Sequence, residues 1–268
     1  MTCNSIETGT TLKIMANAQA ASLTARLQLP QSNNNLDMKV VARQGSQCAE
    51  QSQLFEGIPR ADSAIIVSAA RVTKFTRRQT IFFAGDAIKE IVLLTEGSVK
   101  ITQLGENGSA VILRLEGPGQ IVGSVGSAQR GRHCSTAETL LTCRALVWNA
   151  PTFEALSERF PLLQRNTMRI LAQRLQMLEG RFREISTERV APRLARELVR
   201  LLPQVGRSVD GALEINLSRE ELAQITATTL FTVSRLLSGW ERQGILVLRR
   251  EAVVVKSPLG LLGISELK

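Results

Sequence analysis

The single histidine of this 268-residue chain, His133, stands beside Cys134, and three further cysteines are Cys3, Cys48 and Cys143. Imidazole and thiolate are the side chains best suited to proton transfer, nucleophilic attack and metal ligation near neutral pH. Their spacing removes most of that chemistry. No Cys-x-x-Cys run gathers the ligands that a zinc site or an iron–sulfur cluster needs, so no metal site is expected. Four scattered cysteines also make no disulfide framework, which points to a reducing cytoplasm. His133 and Cys134 are adjacent, and neighbours on a strand point to opposite faces, so they cannot jointly hold one metal. His133 is expected to be a solvent-facing loop residue. Cys134 and Cys143 could form a redox pair, with Arg132 and Arg144 as the nearby cations that would lower a thiol pKa. Asp86, Glu96 and Glu138 are isolated carboxylates, with no partner for acid–base work. There is no Gly-rich phosphate loop and no nucleophile elbow, so no catalytic residue is assigned and an enzyme is not expected.

A second set of residues has the spacing for recognition. Residues 218–241 read SREELAQITATTLFTVSRLLSGWE. Ser218 followed by Glu221 is a capping box that starts a short helix and turns Leu222 and Ile225 inward. Thr226–Thr229 makes a turn, and Thr228 or Thr229 can cap the next helix, about Leu230–Arg242. Val233, Leu236, Leu237 and Trp240 would be buried on one face of it. Phe231, Thr232, Ser234 and Arg235 remain for the other. Two short helices around a tight turn make a helix-turn-helix, whose second helix enters the DNA major groove amino end first. Val247–Leu248, Arg249-Arg250-Glu251 and Ala252–Lys256 then read as a hairpin with basic residues at its tip, the layout of a winged helix. A helical hairpin without nucleic-acid function is the alternative for this segment. The charge balance favours the first reading: 33 Lys and Arg against 24 Asp and Glu leave +9, and a basic excess suits an acidic partner, nucleic acid above all.

The elements that must position these residues define an α+β chain. Residues 1–60, with the polar run Gln31–Asn35, read as a flexible extension. Residues 61–160 are a compact antiparallel β-roll: Ile91–Thr95, Ser98–Leu104 and Ala110–Leu115 are apolar runs divided by glycine-bearing turns, Gly105–Gly108 being a hairpin loop. Residues 161–188 are a long helix. Leu171, Leu175, Leu178, Phe182 and Ile185 recur at the alternating spacing of a coiled-coil seam, so two copies would pair along it as a homodimer, an amphipathic helix lying on its own domain being the alternative. Residues 189–268 form the winged helix, and Gln204–Gly211 is a polar loop within it. With 44% hydrophobic residues the chain can bury a core, yet no uncharged run reaches the ~18 residues of a membrane span.

This order of roll, dimer helix and winged helix resembles the bacterial Crp–Fnr transcription regulators. The resemblance covers about 62–256 and is carried by LLTEGSVKI at 93–101, LSREELAQI at 217–225 and TVSRLLSGWERQGIL at 232–246. It implies a cytoplasmic homodimer on double-stranded DNA, with RNA polymerase as a further partner. Arg235 matches the arginine that pairs with guanine, and Ser234 a position that meets base or phosphate. Phe231 stands where the family usually has a base-reading glutamate, and Leu230 where its cyclic-AMP branch has an arginine. Phe231 can pack on thymine methyls but cannot accept from cytosine, so the half-site should differ. Thr228, Thr229, Thr232, Arg249, Arg250 and Arg219 complete the expected contact set.

In the family's roll, an acidic residue holds the ribose of a cyclic nucleotide and an arginine its phosphate. The matching pocket here comprises Gly123, Ser124, Arg132, Cys134 and Ser135, with Leu178 and Glu179 on the long helix. Ser124 replaces the carboxylate, Cys134 replaces the arginine, and Leu178 and Glu179 replace the residues that meet adenine. Those departures argue against cyclic AMP, as cysteine spacing argues against a cluster; haem, with a roll histidine or cysteine as ligand, stays open. The effector is unassigned. A haem-, gas- or cyclic-nucleotide-responsive module is the alternative function.

Overall fold

The computed structural model describes residues 52–123, 131–209 and 211–266. The polar segment assigned to the extension lies outside them up to residue 51, and so does Ser124.

Two four-stranded antiparallel sheets make the roll. One has the order β1 (Arg71–Phe75), β8 (Cys143–Asn149), β3 (Glu90–Glu96), β6 (Ile121–Val122). The other has the order β2 (Thr80–Phe82), β7 (Thr136–Thr139), β4 (Val99–Leu104), β5 (Ala110–Glu116). Period-two alternation explains why the central runs of β3 and β8, IVLL and ALVW, are apolar. Val92, Leu94, Ala145 and Val147 face the roll interior, and Ile91, Leu93, Leu146 and Trp148 face a layer of helices. A strand covered on both faces needs no polar side chain. The hairpin at Gly105–Gly108 joins β4 to β5, with Gly108 at φ +78° and Leu104 opposite Ala110.

That helical layer is α1 (Arg60–Ser68), α2 (Ala150–Arg159) and the first turns of α3 (Pro161–Thr187). It also includes residues that the sequence reading placed in the extension. Gln53–Phe55 form a 3-10 turn with Leu54 and Phe55 buried. Asn166 of α3 donates to the carbonyls of Leu54 (2.9 Å) and Glu56 (2.8 Å), and Ser52 donates to Gly119 O (2.7 Å). Residues 52–59, which the sequence reading places in the extension, thus pack with the roll. Three hydrogen bonds from two polar side chains stitch an otherwise unremarkable QLFEGIP segment to the roll.

After α3 the chain turns into α4 (Val190–Val205), β9 (Arg207–Val209) and β10 (Ala212–Ile215). The expected polar loop at 204–211 is thus mostly ordered: α4 ends at Val205 and β9 pairs with β10. Next come α5 (Arg219–Ile225), α6 (Leu230–Arg242) and the hairpin β11 (Leu246–Arg249) with β12 (Ala252–Val255), in a sheet of order β11-β12-β10-β9. A last helix, α7 (Pro258–Ser265), was not foreseen; it packs on α4 through buried Leu261 and the bond from Arg196 to Ser265 O (2.7 Å). The winged helix and the roll share one apolar core, since Ile112, Leu115 and Leu140 cluster with Leu198, Leu222 and Leu237.

Candidate nucleic-acid interface and effector cleft

Helix α5 begins at the expected capping box. Ser218 Oγ accepts from Glu221 N (3.1 Å), and Glu221 Oε2 accepts from Ser218 N (2.9 Å). Leu222 and Ile225 turn inward. Ala227 reverses the chain at φ +48°, and Thr229, not Thr228, caps α6 by accepting from Thr232 N (3.2 Å). On α6, Val233, Leu237 and Trp240 are buried. The opposite side of the first turns is open: Phe231 is 76% exposed, Leu230 half exposed, and Arg235 exposed. Thr232 and Ser234 are partly exposed between them. A shallow concavity lined by Ser218, Arg219, Leu230, Leu248, Arg249 and Arg250 joins the amino end of α6 to the hairpin tip. Of the sequence-assigned contact residues, Arg219, Leu230, Arg249 and Arg250 line this concavity, and Phe231 and Arg235 are exposed on the same first turns of α6, whose N-terminus favours phosphate.

Two features of that surface are not written in the motif. Arg249 is paired with Glu214 of β10 (2.5 Å), so its charge is compensated within the sheet, whereas Arg250 is exposed at the turn. Glu251, at the same turn, is bonded to Arg77 and to Arg78 (2.5 Å) of the roll. Lys100 of β4 likewise bridges Glu138 of β7 (3.1 Å) and the capping-box residue Glu221 (2.9 Å). Burial raises the Glu221 pKa, but the Ser218 amide and the Lys100 ammonium outweigh it and hold the carboxyl below its ordinary range. Burial lowers that of Lys100, and the two carboxylates outweigh it to keep the ammonium above its ordinary range. These contacts link the roll to both halves of the winged helix.

Along α3 the seam residues Leu175, Leu178, Phe182 and Ile185 are exposed, Phe182 to 73%. Leu171 departs from the expectation: it is half-buried and packs on the core of its own roll. Flanking this stripe, α3 carries arginines that turn inward. Arg174 donates to Gly123 O (2.7 Å), Glu116 (2.9 Å) and Ile121 O; Arg181 reaches Leu113 O and Glu197. In sequence these look like solvated charges. The signal that could have singled them out is their seven-residue spacing, which puts both along one edge of the seam.

A cleft of about 670 Å³ runs between the roll and α3. Gly123, Cys134, Ser135 and Leu178 line it as the pocket reading requires, together with Arg174 and Gln103. Arg132 and Glu179 do not. Arg132 turns away to donate to Gly85 O (2.6 Å), and Glu179 is exposed on α3. His133 is not solvent-facing: it is 5% exposed and its ring stacks on Phe82 at 3.5 Å, with Nδ1 unpartnered. Burial holds its pKa below the ordinary value, Asp86 opposing weakly, so the ring is neutral at pH 7. A ring stacked face to face with Phe82 and outside the cleft lining is not set to ligate a haem held there. The redox-pair expectation also lapses. Cys134 is exposed, while Cys143 is fully buried and burial pushes its thiol up to about 11. Among the described residues, no group of three or more His, Cys, Asp or Glu could hold a metal ion, and no helix is long and apolar enough to cross a membrane.

Comparison with known proteins agrees with this geometry. Residues 72–160 match the cyclic nucleotide-binding domain, and 192–264 the Crp-like helix-turn-helix domain. The chain is 24% identical over 204 residues to a CRP-like cAMP-activated global transcriptional regulator of Mycobacterium tuberculosis, covering 75% of this chain and 91% of that one. It is 26% identical over 184 residues to the fumarate and nitrate reduction regulatory protein of Escherichia coli, covering 67% and 72%. The structure of FixK2 from Bradyrhizobium japonicum is similar in fold, with a TM-score of 0.65 and 20% identity over 74% of this chain and 98% of that one. A roll, a long helix and a capped, winged helix-turn-helix in this order, matched by both domain families, place the chain in the Crp–Fnr family of transcription regulators.

Proposed function

We propose that this regulator is a homodimer that binds a palindromic DNA site through α6, with Arg235 reading a guanine and Phe231 packing on a thymine methyl in each half-site. The observation that carries the reading is the polarity of α6. One face is locked in the core by Val233, Leu237 and Trp240, while the other leaves Phe231 and Arg235 open beside a capped N-terminus. The exposed stripe on α3 supports the dimer, because an apolar row of this kind on an isolated helix face is stable only when covered. Two such winged helices would stand about 34 Å apart, one turn of duplex. Thr228, Thr229, Thr232, Ser234, Arg219 and Arg250 would hold the backbone, and RNA polymerase is the downstream partner.

The effector is something other than cyclic AMP, or none. A cyclic phosphate needs a guanidinium ready to accept it. Arg174 in the cleft is already engaged by Glu116 and two carbonyls, and Cys134 offers no positive charge. The test is selection of bound sequences from a random duplex pool by the purified chain without added ligand, at near-physiological salt. Recovery of an inverted repeat with a guanine in each half-site is expected. Sequence-blind, salt-sensitive binding alone would refute the ligand-independent form of the reading and send the search to the cleft.

A further inference from the structure

The end of the dimer helix and the turn before the recognition helix meet at one buried side chain. Arg193, in the first turns of α4, is 6% exposed. Its Nε donates to Thr226 O (3.0 Å) and its Nη2 to Ala227 O (3.4 Å), both in the turn between α5 and α6. Its Nη1 donates to Ile185 O (3.4 Å) and Glu188 O (3.2 Å), at the C-terminus of α3. The acceptors are main-chain carbonyls, so the geometry is set by backbone position. Ile185 O is among the carbonyls a helix end leaves unpaired, and a cation there also suits the helix dipole. Ala227 is a non-glycine residue in the left-handed region, a conformation that persists only where its surroundings enforce it. Along the chain, Glu188 and Thr226 are separated by α4, β9, β10 and α5. Through Arg193 they are joined by one planar guanidinium.

We propose that Arg193 is a positioning residue that fixes the recognition helix relative to the dimer axis, and thereby sets which half-site spacing the regulator accepts. The proposal rests on the homodimeric reading above. A rigid link between the seam helix and the turn ahead of α6 makes the offset of the two recognition helices a fixed length. One base pair added between half-sites shifts the second by about 3.4 Å and rotates it by about 35°, which a rigid pair cannot follow.

The experiment measures affinity for the selected palindrome with its central spacer changed by −1, 0, +1 and +2 base pairs. The full chain, Arg193→Lys and Arg193→Gln are compared. The wild type should lose about tenfold or more for each wrong spacing, the scale of a mismatched base pair. The glutamine variant should lose less than about threefold across the series, and the lysine variant, which keeps the charge but not the planar fork, should fall between them. Dimer mass, sequence-blind affinity and the base preference within one half-site should be unchanged in both variants, which a general loss of packing would not allow. Variants as selective for spacing as the wild type would overturn the assignment to Arg193 alone. A wild type indifferent to spacing would overturn the homodimeric reading and this proposal with it.

Discussion

Replacing Lys100 by methionine removes the ammonium that ties α5, the first helix of the helix-turn-helix, to the roll while keeping most of its aliphatic volume. The Lys100 and Glu221 side chains are only 17% and 19% exposed, and their contact is 2.9 Å. Fully exposed pairs contribute about 0–1 kcal/mol, and breaking a fully buried one costs about 3–5 kcal/mol. A pair four-fifths covered and shared with Glu138 lies between, at about 2 kcal/mol. In a folded unit of this size each kcal/mol moves the melting midpoint by about 2–4 °C, so a fall of about 4–8 °C is expected at pH 7. The pH dependence has a definite sign. Glu221 titrates below its ordinary 4.5 in the folded chain, so its contribution is present above 4.5 and is lost as the pH falls through the folded value. Lys100 titrates above its ordinary 10.5, so its contribution holds below 10.5 and is lost only in stronger alkali. The gap in midpoint between wild type and Lys100→Met should therefore be widest between those limits and narrow on acidification. Glu221→Gln retains the capping-box acceptor but not the charge, so Lys100→Met should cost much less in that background. Calorimetry of the four proteins decides it. Strictly additive effects, or a gap that does not narrow in acid, would refute this role for the Lys100–Glu221 pair.

Arg235→Ala should lose discrimination at one base pair of each half-site by about 1–3 kcal/mol, read by competition with singly substituted duplexes; equal stringency would contradict the guanine contact. Arg250→Ala should weaken binding to all sequences and lower the salt slope by about one, while Arg249→Ala, whose charge already serves Glu214, should change both less. Phe182→Asp places a carboxylate in the exposed seam and should give monomers in sedimentation at micromolar concentration, whereas an unchanged dimer would move the interface elsewhere. Alkylation of the native chain should label Cys134 and spare Cys143, which is buried with its thiol pushed up to about 11; native labelling of Cys143 would mean the roll opens there.

Local rules made much of this architecture legible. The runs IVLL and ALVW are strands because both faces of their sheet are covered, and the capping box at Ser218–Glu221 marks the start of α5 within the residue. Failures came where tertiary contact overrode local texture. PLGLLGIS has two glycines and no polar face, so no amphipathic period announces α7, yet the groove of α4 holds it. Ser52–Arg60 resembles the polar extension before it, and what recruits it to the roll is Asn166, more than a hundred residues away.

The site divides the same way. Exposure of Phe231 and Arg235 follows from a helical period with one apolar face, so the open side of α6 could be read from spacing alone. The residues that hold it in place could not. Glu221 satisfies the capping rule whether or not Lys100 is there, and Arg174, Arg181 and Arg193 look in sequence like ordinary charges on amphipathic helices. Each takes its meaning from carbonyls or carboxylates supplied by a distant element, and a carbonyl has no residue type to reveal it. Such contacts decide how the winged helix is carried rather than whether it folds. In this chain, therefore, the identity of the proposed DNA surface is encoded locally. Its orientation is encoded in arginine and lysine positions whose partners only the fold can supply.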